Sequence, residues 1–209
     1  MDTVVVLAGG PAPVPAELPT GAYVIAADGG AELAPERVDL AVGDFDSISP
    51  ATLASLARVE RHPAAKEATD LELALDAALR VGPERVLVVG SAAGRLDHLL
   101  GSLLLLASDR YAAVRLDAQL GEAAVHVIRG ERTLLGEPGE LVSLFALHGP
   151  VRGVTARGFR WPLEDETLEP GSSRGTSNEL AAAEATVSVA DGVVLAVRPS
   201  GSAWAGTSS

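Results

Sequence analysis

Five aspartates punctuate the first half of the sequence: Asp28 in AADGG, Asp44 and Asp46 in DLAVGDFDSIS, Asp70 in KEATD and Asp97 in GRLDH. In an extended segment the Asp44 and Asp46 side chains point the same way, because strand side chains alternate with period two. Two neighbouring carboxylates repel each other unless they are protonated, spread apart by solvent or bridged by a cation. An acidic surface turn and a cation-bridged pair both satisfy the local pattern. Asp70 and Asp97 stand where helices should begin, a favourable place for a negative charge. Several carboxylates gathered at one place, however, require a counter-charge. Magnesium is the natural one, since it takes hard oxygen ligands from one or two carboxylates together with substrate phosphates and water. Lys66 is the only lysine of the chain. It and Arg95 offer cations to a phosphate, the arginine in bidentate fashion. His98 reads as a helix-surface residue.

The second half carries two further polar motifs, GFRWPL and GTSNEL. Trp161 fits either a core that is poor in aromatic residues or a loop that stacks on a flat cationic ring. Ser177, Asn178 and Glu179 read as a turn or as a donor–acceptor cluster for a heterocycle.

The elements that must position these residues alternate up to about Ala118. TVVVLAGG, AYVIAADGG, DLAVGDF, ERVLVVGS and AVRLDA read as buried strands, and SPATLASLARV, TDLELALDAALRVG and RLDHLLGSLLLLASD as helices. That rhythm predicts an α/β layer with a mostly parallel sheet. The helix from Thr69 has a Thr-x-x-Glu capping box with Glu72 and a core stripe of Leu71, Ala74, Leu75, Ala78 and Leu79. Gly82 and Pro83 end it. Gly9–Gly10, Asp28–Gly30, Asp44–Asp46 and the loop from Gly90 to Asp97 fall at strand ends, where open α/β sheets bind ligands. From about Glu122 the runs are short, strand-like and separated by glycine and proline, which predicts an all-β sandwich or barrel. In ATVSVADGVVLAV, Asp191–Gly192 reads as a two-residue hairpin turn. The predicted organisation is an α/β domain over 1–118, a β-sandwich domain over 122–200 and a frayed tail over 201–209.

Composition narrows the function classes. The chain of 209 residues is 47% hydrophobic and 21% charged, as a folded domain is. A net charge of −12 disfavours nucleic acid and anionic membranes. The absence of cysteine excludes disulfides, zinc-thiolate sites and a catalytic thiol. No apolar run approaches the length of a membrane span and no basic leader precedes the first strand, so a cytoplasmic protein is expected.

Taken together, ADGGAELA, VGDFDSI, KEATDLELAL, GSAAGRLDHLLGSLLLL, TARGFRWPL and GTSNE, in this order, resemble the thiamine pyrophosphokinase family. The resemblance implies an α/β nucleotide-binding domain followed by a β-sandwich, and Mg²⁺-dependent transfer of the β,γ-pyrophosphoryl group of ATP to the thiamine hydroxyl, releasing AMP. It also implies a homodimer that shares the thiamine site between subunits. By resemblance, Asp44, Asp46 and Asp70 hold magnesium and the triphosphate. Asp97 faces the thiamine hydroxyl, to orient or deprotonate it, and completes the catalytic set. Asp28, Gly29, Gly30, Lys66, Thr69 and Arg95 belong to the ATP side, and Trp161, Ser177 and Asn178 to the thiamine side. Two positions depart from the family pattern: Glu67 stands where aspartate is usual, and Arg160 where lysine is common. The site needs no Ser–His or Cys nucleophile, since charge neutralisation and in-line placement carry such a transfer. Rival readings are an aspartyl-phosphate phosphatase with Asp44 as nucleophile, a pyrophosphokinase for another hydroxymethyl heterocycle such as a pterin, and a non-catalytic thiamine- or nucleotide-binding module.

Overall fold

A computed structural model describes residues 2–10, 18–65 and 67–203 of the chain. It divides into two compact units: one from the residues up to Leu105 plus Ala113–Gly121, the other from Leu106–Ala112 and from Glu122 onward. The fold is mixed α/β.

The first unit is built on six strands, β1 (Thr3–Gly9), β2 (Tyr23–Ala27), β3 (Leu40–Gly43), β4 (Val59–Arg61), β5 (Arg85–Gly90) and β6 (Arg115–Leu120). They lie in the order β6-β5-β1-β2-β3-β4, and every neighbouring pair is parallel. The continuous apolar runs have the expected cause. Val4, Val5, Val6 and Leu7 of β1 and Val86 to Val89 of β5 are all buried, as in a sheet covered on both faces. The chain runs outward from β1 through β4, then returns to place β5 on the other side of β1. That reversal puts the topological switch point between β1 and β5, where Gly9 pairs with Gly90.

Three helices accompany this sheet: α1 (Pro50–Ser55), α2 (Asp70–Val81) and α3 (Leu96–Leu106). In α2 the Thr69 side chain accepts from the Glu72 N–H and Gly82 caps the other end in the left-handed conformation. Ala74, Leu75, Ala77 and Ala78 are the buried residues, and the helix packs on β1, β2 and β3. The stripe is thus centred on the alanines; Leu71 and Leu79 lie at its margins. The small residues let the helix approach the sheet closely.

The stretch SPATLASLARV is not one helix. Ser49 caps α1 and Pro50 opens it, but the helix ends at Leu56, whose φ of −75° and ψ of 129° are extended. Val59–Arg61 then pairs in parallel with β3 as the edge strand β4. Ladder hydrogen bonds to a neighbouring strand outweigh the modest helix propensity of LARV.

The second unit has two antiparallel sheets built from β7 (Ala123–Ile128), β8 (Glu131–Leu135), β9 (Leu141–Ala146), β10 (Val151–Arg157), β11 (Leu163–Leu168), β12 (Asn178–Glu179), β13 (Glu184–Ser188) and β14 (Val194–Arg198). One sheet runs β12-β9-β14-β7 and the other β11-β10-β13-β8. They share one apolar core, with Val142, Leu144, Val194 and Ala196 from the first and Val154, Ala156, Leu163 and Val187 from the second. The sequence reading of ATVSVADGVVLAV as a hairpin is corrected. β13 pairs with β8 and β10, whereas β14 pairs with β7 and β9. Asp191 instead bridges to Arg152, and its carboxylate takes that arginine's guanidinium at 3.2 Å. The Asp-Gly dipeptide therefore carries the chain from one sheet to the other.

Candidate active site

The carboxyl ends of β2 and β3 gather the aspartates. Oxygens of Asp28, Asp44 and Asp46 lie within 4.8 Å of one another. Asp70, the first residue of α2, joins them: a Cβ added at Gly43 would stand 3.0 Å from both the Asp28 Cβ and an Asp70 carboxylate oxygen. A side chain at Gly43 would crowd the acidic group, which would have to give by a few tenths of an ångström. The Asp46 carboxyl titrates above its ordinary range, first because of the Asp44 charge, then Asp28, burial and Asp70. Asp28 is buried at 5% exposure. One of its oxygens accepts from the Ser47 hydroxyl, and the other, Oδ1, is buried without a hydrogen-bond partner.

The carboxylates of Asp44 and Asp46 do not converge by strand alternation, as the extended reading expected. β3 ends at Gly43, and Phe45 has a φ of +63°. The backbone turns between the two aspartates, with the Phe45 ring buried beneath. Arg61 of β4 lies against this turn: its Nη1 donates to the Asp44 carbonyl at 2.6 Å, and its guanidinium carbon stands 4.8 Å from the centre of the Phe45 ring. On the far side, Glu32 accepts from the Ser49 N–H at 2.6 Å and from the Thr52 hydroxyl at 2.7 Å, fastening the start of α1 to the turn after β2. These bonds, the Ser49 backbone first, hold the Glu32 carboxyl below its ordinary range.

The other residues expected on the ATP side are placed differently. Thr69 uses its hydroxyl to cap α2, at 3.2 Å from the Glu72 nitrogen. Lys66 lies outside the described residues. Gly29 and Gly30 begin the short 3₁₀ turn after β2 beside Asp28. Asp97, in the first turn of α3, is not among the carboxylates that converge within 4.8 Å. It is engaged in a fork with Arg95, Nε to Oδ1 at 3.1 Å and Nη2 to Oδ2 at 2.6 Å. Arg95 holds the Asp97 carboxyl down to about 2. His98 is an exposed helix residue.

In the second unit, Trp161 is 46% exposed, which removes it from the core. With Leu163, Arg174, Thr176, Ser177 and Asn178 it borders a cavity of about 500 Å³. Asn178 is buried, and its side chain is spent on the tryptophan loop: Oδ1 accepts from the Trp161 N–H at 3.1 Å and Nδ2 donates to the Trp161 carbonyl at 2.7 Å. Arg160 lies 4.7 Å over the Trp161 ring and pairs with Glu179 at 2.9 Å. Ser177 adopts a φ of +55° and donates its N–H to the Ser143 hydroxyl. Arg174 forms a fork with Glu166 at 2.6 and 2.8 Å on the cavity rim.

Residues 16–116 match the family described as thiamin pyrophosphokinase, catalytic domain, and residues 125–194 match thiamin pyrophosphokinase, vitamin B1 binding domain. The chain belongs to the thiamine pyrophosphokinase family. A thiamine pyrophosphokinase of Bacillus subtilis is 30% identical over 175 residues, covering 76% of this chain and 77% of that protein. The crystal structure of a B. subtilis thiamine pyrophosphokinase superposes with a TM-score of 0.83 at 26% identity, over 94% of this chain and 98% of that one. A thiamin pyrophosphokinase family protein from Enterococcus faecalis gives 0.80 at 26% identity, over 97% and 100% of the two chains. The Candida albicans enzyme shares the fold at 15% identity, with a TM-score of 0.72 over 94% of this chain and 89% of that one.

Within this pyrophosphokinase frame, Asp28 stands with Asp44 and Asp46 at the strand ends, where the sequence reading set it. Two features escaped the sequence. Ser47 supports Asp28 across a separation of nineteen residues. Arg61 reaches the Asp44–Asp46 turn from β4, just beyond a segment that reads as a helix.

Proposed function

We propose that the chain is a magnesium-dependent pyrophosphotransferase that makes thiamine diphosphate and AMP from thiamine and ATP. The observation that carries this reading is the convergence of Asp28, Asp44 and Asp46, with a buried Asp28 oxygen that has no hydrogen-bond partner. Buried polar atoms are satisfied in the great majority of cases, so this oxygen awaits a ligand. A set made only of carboxylate oxygens suits magnesium, and the neighbouring Asp44 charge, then that of Asp28, raises the Asp46 carboxyl. Asp44 and Asp46 would hold the ion, with Asp28 and Asp70 beside them. Once bound it would neutralise triphosphate charge in the manner general to phosphoryl transfer.

The chain's own groups do the remaining work. The thiamine hydroxyl oxygen bonds to the β-phosphorus, the bond from that phosphorus to the oxygen bridging to the α-phosphate breaks, and AMP departs with that oxygen. The hydroxyl proton passes to solvent water in the same transfer. Asp97 would face the thiamine hydroxyl and orient or deprotonate it. Arg95, Lys66 and the turn from Asp28 to Gly30 form the nucleotide side. Trp161, 46% exposed at the mouth of its cavity, offers a face to the flat thiamine cation, and Asn178 holds the tryptophan loop in place. The first unit is the nucleotide-binding domain and the second the thiamine-binding domain.

The enzyme acts as a homodimer in the cytoplasm. Leu96, Leu100 and Leu104 of α3 recur one helical turn apart and are 77%, 54% and 36% exposed, an apolar stripe suited to a second copy of the chain. No helix among the described residues is long and apolar enough to cross a membrane.

The test is AMP release from ATP and Mg²⁺ with and without thiamine. Thiamine-dependent AMP is the expected result. Thiamine binding without AMP would replace the enzyme by a binding module.

A further inference from the structure

The turn that brings Asp44 and Asp46 together is not one that its own sequence favours. Phe45 holds a φ of +63°, a region visited readily by glycine and, among other residues, mainly by asparagine and aspartate. A bulky aromatic residue stays there only when its surroundings over-determine the backbone. The surroundings supply one side chain that touches both parts of the turn. The Arg61 Nη1 donates to the Asp44 carbonyl, immediately before Phe45, at 2.6 Å. The same guanidinium lies 4.8 Å from the centre of the Phe45 ring. Arg61 is itself anchored, because it stands opposite Gly43 in the β3–β4 ladder and the next residue, His62, donates its N–H to the Gly43 carbonyl at 2.8 Å.

We infer that Arg61 is a positioning residue: it clamps the Asp44–Phe45–Asp46 turn in its left-handed form and so aims the two carboxylates at the cation. The inference rests on the magnesium reading above. Arg61 acts through geometry rather than charge, since its guanidinium is engaged by the Asp44 carbonyl and the Phe45 ring face. Lysine keeps the charge, but an ammonium has no planar fork with which to donate to the carbonyl while lying flat on the ring.

Mn²⁺ binding to the substrate-free protein, followed by calorimetry or electron paramagnetic resonance, tests the clamp. Residues that orient metal ligands typically change affinity by about 10–100-fold. Both Arg61→Ala and Arg61→Lys are therefore expected to weaken Mn²⁺ by roughly tenfold or more, and to raise the Mg²⁺ concentration that gives half-maximal turnover. At saturating Mg²⁺, kcat should stay near the wild-type value. Phe45→Leu, which keeps an apolar side chain but loses the ring face, should weaken Mn²⁺ in the same direction and carries the test if Arg61→Ala does not fold. Wild-type affinity in Arg61→Lys would show that charge alone suffices and overturn the clamp. So would a lower melting temperature with unchanged Mn²⁺ affinity, which marks a purely structural role. Wild-type protein that binds no Mn²⁺ refutes the cation site itself, and the clamp with it. Wild type that binds while all three variants bind equally well refutes the clamp alone.

Discussion

Gly30 offers a sharp test of what fixes the turn after β2. An alanine Cβ at this position would stand 2.0 Å from the Leu7 carbonyl oxygen and 2.7 Å from its carbon. Ordinary contact begins near 3.4 Å, so one partner must retreat by roughly 1.4 Å, the difference between those two distances. Leu7 cannot give way cheaply. It is fully buried in β1, paired with Ala26 on one side and Val89 on the other. The turn must move instead, and with it Asp28. Overpacking at a rigid site costs about 1–3 kcal/mol, and contact with a fixed backbone carbonyl places Gly30→Ala at or above the upper end. For a chain of this size about 3 kcal/mol lowers the melting temperature by roughly 6–12 °C. Gly29→Ala is the internal control. Its Cβ would meet the Ser47 hydroxyl at 3.1 Å and the Ser47 carbonyl oxygen at 3.2 Å, contacts that a shift of a few tenths of an ångström relieves, so its melting temperature should fall far less. Thermal melts followed by circular dichroism decide the matter. A Gly30→Ala protein melting within about 2 °C of wild type would refute the packing argument and return Gly30 to a purely ligand-binding role.

Asp46→Asn should abolish turnover while leaving the melting temperature unchanged or raised, because it removes one of several mutually repelling charges; near-normal activity would sink the metal assignment. A carboxyl raised in the folded state destabilises as it ionises, so acidifying from neutral pH toward the Asp46 pKa should raise the melting temperature until other groups titrate, a rise that excess Mg²⁺ should suppress. Asp97 has the opposite sign: its contribution is present above the ordinary carboxyl pKa and is lost as pH falls through about 2. Arg95→Ala should move the Asp97 carboxyl up toward its ordinary value near ~3.9, measurable by carbon-detected NMR titration. Trp161→Ala should raise the KM for thiamine far more than that for ATP, equal effects arguing against stacking. Leu100→Glu should convert a sedimenting dimer to monomer; an active wild-type monomer at micromolar concentration would exclude a shared site.

The parts of the fold that the sequence declares are those governed by short-range rules. α2 announces itself through Thr69, Glu72 and Gly82 because capping is local, and β1 and β5 through valine runs that only a buried sheet accommodates. Its misleading parts are those settled by distant partners. LARV has helical propensity, yet Val59–Arg61 becomes a strand because β3 offers an open edge. The Asp191–Gly192 pair has hairpin chemistry, but Arg152 captures Asp191. At the site, residue types were legible and geometry was not. Asp44 and Asp46 converge through a left-handed phenylalanine rather than along a strand. Asn178 spends its amide on the tryptophan loop.

The crossing at Asp191–Gly192 has a consequence for how the second unit is made. β13 is an inner strand of one sheet, between β10 and β8, and β14 an inner strand of the other, between β9 and β7. The segment from β13 to β14 therefore supplies an inner strand to each sheet after the strands that flank it have been made. A nascent chain that has emerged only as far as Gly175 carries β7 to β11 with neither sheet joined, its apolar faces exposed. Synthesis proceeds from the N-terminus, so the first unit has its six strands by Leu120, while in the second the β11-β10-β13-β8 sheet is complete only at Ser188 and the β12-β9-β14-β7 strands only at Arg198. A chain that stops before Glu184 lacks both of these inner strands, and one that stops between the two can join only the first sheet.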